Sequence, residues 1–187
     1  MRLFVSAGLS PTSLDTLEGA ISRLRPAAPR LKFTKRENLH FTLKFLGETP
    51  AESLPEIMHI ISGEALKSEP FKISVEGVGY FGPRRCPRII WAGLREGRAE
   101  MCALAAGLNG RLDKFLHGER EAFPHITIAR LNGGTASEQL LHMLDEMNHV
   151  KFCEDVVKEI KLKKSTLTPK GPVYSDVFSF PMGRAQK

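Results

Sequence analysis

Cysteine, tryptophan and tyrosine are scarce in this 187-residue chain, with three, one and two copies, and each scarcity narrows what it can be. Cys86, Cys102 and Cys153 show no Cys-x-x-Cys spacing, which argues for a reduced, cytoplasmic setting in which all three are structural. Long apolar runs are also missing. The stretch from Leu3 to Leu9 is too short and too interrupted for a secretory signal, and no span approaches membrane length, so no membrane partner is expected. No Ser/Gly-rich linker separates independent domains, and no Gly-rich nucleotide-binding loop is visible. With 42% hydrophobic residues there is ample material for a core, and residues 1–187 are expected to form one unit made of two halves.

What is present is a pattern written twice. His40-Phe41-Thr42-Leu43 and His125-Ile126-Thr127-Ile128 lie 85 positions apart. Carried back along the chain, the same offset pairs Phe4-Val5-Ser6-Ala7-Gly8-Leu9 with Ile89-Ile90-Trp91-Ala92-Gly93-Leu94 without a gap. Each copy reads as an apolar strand, a helical stretch and a His-x-Thr strand, followed by a second helical stretch at 52–66 and 136–148. A duplicated unit of this kind is expected to set its halves about a pseudo-twofold axis, bringing both histidines to one cleft. Leu14, Leu17, Ile21 and Leu24 have helical spacing within 13–25, as do Met101, Leu104, Ala105, Leu108, Leu112 and Phe115 within 97–116. Residues 71–81 read as a strand that Gly77 and Gly79 bulge, and 156–167 with 173–180 as a terminal hairpin.

A strand sends alternate side chains to opposite faces. His40 and Thr42 therefore point together, with Phe41, Leu43 and Phe45 expected on the core side; His125, Thr127 and Ala129 are expected to share a face in the second copy. A single His-x-Thr arises easily by chance. Two at matched positions of a repeat favour a site. Imidazole has an ordinary pKa of about 6.5, so both protonation states are accessible near neutrality, and two close rings split their titrations. They supply a general acid and a general base. Threonine hydroxyls beside them can stabilise charge on phosphoryl oxygens. The set suits in-line displacement at phosphorus with no metal, since no Asp or Glu sits within either motif to complete a metal site.

On these residues the chain resembles the 2H phosphoesterases, and within them the RNA 2′,3′-cyclic phosphodiesterases also called 2′-5′ RNA ligases. The likeness spans nearly the full length. It includes Arg2-Leu3-Phe4-Val5, His40 through Glu48, Pro87 through Gly93, Phe123 through Arg130, and the closing Ser165 through Tyr174. It implies an α+β fold of two pseudo-twofold-related lobes, each an antiparallel or mixed sheet backed by helices, with a central cleft. It further implies His40 as proton donor and His125 as proton acceptor, with Thr42, Thr127 and Arg130 holding phosphoryl oxygens and no cofactor. The expected partner is RNA with a 2′,3′-cyclic phosphate end, tRNA fragments among the candidates, and the expected state is a cytoplasmic monomer. Run backward, such a site would join a 5′-hydroxyl to the cyclic end without ATP.

Two rival readings stand beside this one: a phosphodiesterase for small nucleotide-derived cyclic phosphates, and a non-catalytic RNA-binding module. Net charge is +6, which draws phosphate-bearing ligands but occurs elsewhere too. Arg30, Lys32, Lys35 and Arg36 precede the first motif and Arg84, Arg85 and Arg88 the second repeat; these either border the cleft or lie on an ordinary solvated surface. Lys158, Lys161, Lys163 and Lys164 are read as a solvated face. Arg130 poses a problem of direction, because strict alternation puts it opposite His125. Either the strand is bulged or ending there, or the side chain reaches around the edge. Trp91, Phe123 and Tyr174 are open between stacking a base and packing, while His59, His117, His142 and His149 are read as surface residues.

Overall fold

A computed structural model describes residues 1–26, 28–115, 123–131, 133–169 and 171–183. Its strands are β1 (Arg2–Ala7), β2 (Leu31–Phe33), β3 (Phe41–Glu48), β4 (Phe71–Phe81), β5 (Ile89–Leu94), β6 (His125–Leu131), β7 (Lys151–Val157), β8 (Glu159–Thr168) and β9 (Gly171–Pro181). The helices are α1 (Pro11–Ser22), α2 (Leu54–Lys67), α3 (Arg98–Leu112) and α4 (Glu138–Glu146). Ser10 caps α1 by accepting from the Ser13 amide, and Pro11 opens it, where a missing N–H costs nothing. Ser137 caps α4 in the same way.

The sheet runs β7-β4-β5-β6-β3-β1-β8-β9, with β2 attached to β6, and all its pairings are antiparallel. That order is a palindrome. Read outward from its centre, β3 answers β6, β1 answers β5, β8 answers β4 and β9 answers β7. Along that path the halves meet between β3 and β6 at Phe41 opposite Ile126, and these two residues are the same position of the repeat. A twofold axis through an antiparallel junction must pair each residue there with its own equivalent, so the pseudo-dyad passes through this contact.

Register repeats as faithfully as order. Phe4 faces Phe45, Val5 faces Lys44, Ser6 faces Thr42 and Ala7 faces Phe41; 85 positions on, Ile89 faces Arg130, Ile90 faces Ala129, Trp91 faces Thr127 and Ala92 faces Ile126. Both ladders skip one residue at the same place, Leu43 in β3 and Ile128 in β6. A β-bulge of this kind resets the alternation of everything beyond it. Lys44 and Ala129 therefore turn into the core, at 1% and 0% exposure, and Phe45 and Arg130 turn out. Two expectations from strict alternation are corrected: Phe45 is not in the core row, and Ala129 does not share the face of His125. Inward-facing Lys44 reaches Asp113, just past α3, at 2.8 Å.

The expected terminal hairpin is β8–β9, but the stretch 156–167 is not one strand. β7 ends at Val157 and β8 begins at Glu159, so Lys158 alone links strands at opposite ends of the sheet order. The sheet must curl for its ends to come so close. Gly77, at φ 76°, provides the expected irregularity in β4, where register slips between Val75 and Val78.

Candidate active site

Each His-x-Thr begins at the dyad end of its strand, so the fold brings the two pairs to the same place. One cavity of about 490 Å³ is lined by His40, Thr42, His125, Thr127 and Arg130, the five residues singled out by the motifs. Phe45, Phe81, Ile89, Tyr174 and residues of the β2 segment complete the wall, and no carboxylate is among the lining residues. The bulge at Ile128 resolves the direction of Arg130: it reaches the cavity because the alternation resets before it.

Both rings are held in the same way. His40 Nδ1 lies 2.7 Å from the Asn38 carbonyl and His125 Nδ1 lies 2.7 Å from the Phe123 carbonyl, again equivalent positions. A carbonyl can only accept, so the neutral ring carries its proton on Nδ1, and Nε2 is left with its lone pair toward the cleft. His40 Nε2 is 3.0 Å from Thr42 Oγ1, which donates to it when the ring is neutral.

The acidities are not the same. Burial pushes His40 down to about 4, the Asn38 carbonyl resisting and the charges of Lys163 and His125 adding to the fall. Burial also lowers His125, with the Phe123 carbonyl opposing and Arg130 assisting. The two rings flank one space, so a charge on His125 bears on His40. An aromatic edge meets each ring: Tyr174 meets His40 at 5.5 Å and Phe81 meets His125 at 5.0 Å, both near perpendicular.

Of the other sequence candidates, Tyr174 lines the cavity. Trp91 and Phe123 pack against each other beside His125, their centroids 4.9 Å apart. Among the first basic cluster Lys32 and Lys35 line the cavity, while Arg36 is bound to Asp15 and Arg30 lines a separate groove near α4. Arg84, Arg85 and Arg88 do not line it; Arg84 is engaged by Asp145. The reading of Lys161 and Lys163 as solvated is corrected, since both pair with Asp176, at 2.9 and 2.7 Å, and are largely covered. His59, His142 and His149 stand apart from the cavity, His117 lies outside the described residues, and no group of metal-ligating side chains occurs among the described residues. Sequence reasoning missed Phe45 and Phe81. Carrying the offset from Arg130 back to Phe45 would have found the first.

A duplicated antiparallel α+β fold with paired His-x-Thr strands about a cleft is that of a 2H phosphoesterase. The family model of LigT-like phosphoesterases matches residues 8–91 and 95–174, and the chain belongs to that family. It is 33% identical to the RNA 2′,3′-cyclic phosphodiesterase of Methanothermobacter thermautotrophicus, over 96% of this chain and 98% of that one. The enzyme of the same name from Archaeoglobus fulgidus is also 33% identical, over 96% and 99%. A crystal structure from Thermus thermophilus superposes with a TM-score of 0.84 at 30% identity, covering 99% of this chain and 100% of that one. E. coli LigT in its apo form shares the fold, with a TM-score of 0.76 at 20% identity over 98% of each chain. Among the described residues no helix is long and apolar enough to cross a membrane.

Proposed function

We propose that the protein hydrolyses the terminal 2′,3′-cyclic phosphate of RNA to a 2′-phosphomonoester, the activity for which its relatives are named. The observation that carries this reading is the lining of one carboxylate-free cavity by both His-x-Thr pairs and Arg130. Water attacks phosphorus as His125 Nε2 takes its proton. The bond from phosphorus to O3′ breaks, and His40 Nε2 delivers a proton to that oxygen. Thr42, Thr127 and Arg130 hold the non-bridging oxygens, the guanidinium offering a planar fork of donors. No metal step is needed, because two imidazoles move both protons and the donors around them take up the charge.

His40 holds no proton on Nε2 in an empty cleft at neutral pH, since its pKa lies near 4. A phosphodiester anion placed against the ring reverses the local field and favours imidazolium. The acid is thus charged by the arrival of substrate. Thr42, which donates to Nε2 when the ring is neutral, turns its hydroxyl to a phosphoryl oxygen as that nitrogen gains a proton. With a 5′-hydroxyl in place of water as the nucleophile, the same two proton transfers break the bond to O3′ and give a 2′-5′ linkage.

The experiment is incubation of an oligoribonucleotide carrying a cyclic end, with identification of the ribose oxygen that keeps the phosphate. A 2′-phosphate is expected; a 3′-phosphate or no turnover overturns the reading. The two roles separate on a diester whose leaving group is p-nitrophenolate, which departs without a proton. There His40→Ala keeps most of its activity and His125→Ala does not; the opposite result exchanges the roles.

A further inference from the structure

Among the described residues β2 is the one strand off the palindromic path, and it places a cation where the site has one already. Lys32 sits directly opposite Arg130 across the β2–β6 ladder. Residues so paired project from the same face, and like charges in that relation destabilise a sheet. Both side chains line the cavity that holds the two histidines, and Lys35 joins them from the end of the same segment. No carboxylate lines this space to offset them, and the ion pair of Lys35 with Glu37 is long, at 3.9 Å. Lys32 also links two walls of the cavity. Its Nζ lies 3.7 Å from where a β-carbon on Gly171 would stand, so it reaches from β2 to the turn of the β8–β9 hairpin.

Three cations are more than a single cyclic phosphate requires, and two of them come from the β2 segment. We propose that Lys32 and Lys35 form a second phosphate subsite, which takes the phosphate on the 5′ side of the terminal ribose and makes an oligoribonucleotide the preferred substrate. This rests on the function proposed above and names its substrate class. Arg130 serves the reacting phosphorus, and Lys32 and Lys35 serve its neighbour. The repulsion between Lys32 and Arg130 is relieved when two phosphates occupy the pair.

The test compares a dinucleotide with a mononucleotide, each ending in a 2′,3′-cyclic phosphate, in the wild-type protein and in Lys32→Ala. The wild type is expected to favour the dinucleotide. In Lys32→Ala the dinucleotide's kcat/KM falls about ten times further than the mononucleotide's, and the salt dependence on the dinucleotide loses about 0.7 from its log–log slope, one phosphate's share. Lys32→Arg, which keeps the charge, restores the preference. Lys32 is exposed, and an unchanged melting curve confirms that the variant folds. Equal kcat/KM on the two substrates in the wild type, or an equal fall on both in Lys32→Ala, overturns the subsite while leaving the hydrolytic reading intact. Failure of the wild type to turn over either substrate overturns that reading and the subsite with it.

Discussion

The two halves of this protein share a backbone and differ in what lies on it. In the first half, the positions beside the His40 strand carry Ser6 and, opposite it, Lys161; Phe4 faces Lys163, and Asp176 binds both lysines. In the second half the equivalent positions are Trp91 opposite Gly79 and Ile89 opposite Phe81. One floor carries charge beside Phe4, and the other carries none. Bulge, register and the carbonyl that holds each imidazole are all duplicated, so the backbone makes two histidines alike. Their neighbours make them unlike. Duplication thus supplies a symmetric frame, and under the proposed mechanism the direction of the reaction comes from side chains that have diverged on it.

The largest test of that view removes the rings themselves. His40→Ala and His125→Ala are each expected to lower kcat about 10²–10⁴-fold on a cyclic-ended oligoribonucleotide. With the proposed acid and base acting in the same step, the double variant should fall little below the worse single one. Steady-state assays at matched pH measure this, and multiplicative losses would mean that the halves work independently.

Acid stability compares the rings without any substrate. The fold prefers neutral His40, whose pKa drops from 6.5 to about 4. Its contribution is therefore fully present above pH 6.5 and is lost as pH falls through about 4, up to about 3 kcal/mol. Denaturant unfolding from pH 7 to pH 4 should show the wild type losing more stability than His40→Asn by about that amount. His125→Asn should relieve a smaller loss of the same sign, since His125 is also lowered. An identical pH dependence in wild type and His40→Asn would show that the first half does not bury its ring as described.

Gly79 tests the uncharged floor alone. A β-carbon there would stand 2.2 Å from the Trp91 ring, whereas the equivalent position of the first half carries Lys161. Gly79→Ala is expected to cost about 1–3 kcal/mol through overpacking, measured by chemical denaturation.

Much of this was legible in the sequence, because symmetry is a sequence property. The offset between His40 and His125 predicted equivalent strands, and the apolar spacing placed α1 and α3 near their true ends. What could not be read was the place where period two fails. Nothing in Leu43 or Ile128 announces a bulge, yet that one skipped residue turns Lys44 inward and Phe45 and Arg130 toward the cleft. The break at Lys158 was hidden for a similar reason: β7 and β8 are both strand-like, and only the curl of the sheet separates them. Long-range partners were equally invisible. Lys161 and Lys163 look solvated until β9 brings Asp176 to them.

The smallest effect expected is also the most specific to the difference between halves. Lys163 stands opposite Phe4 as Phe81 stands opposite Ile89, so the first half has a cation where the second has a phenyl ring. That cation helps to lower His40. Lys163→Met removes the charge and keeps most of the stem, and Asp176 retains Lys161 at 2.9 Å. The pKa of His40 must then rise, since a like charge has gone. With His40 as the proposed general acid, which must hold a proton on Nε2, the alkaline limb of kcat/KM, which reports the free enzyme, should move to higher pH. Phe81→Leu, the matching change in the second half, deletes no charge and should leave that limb where it is. If both substitutions shift it equally, packing rather than charge sets the difference between the two histidines.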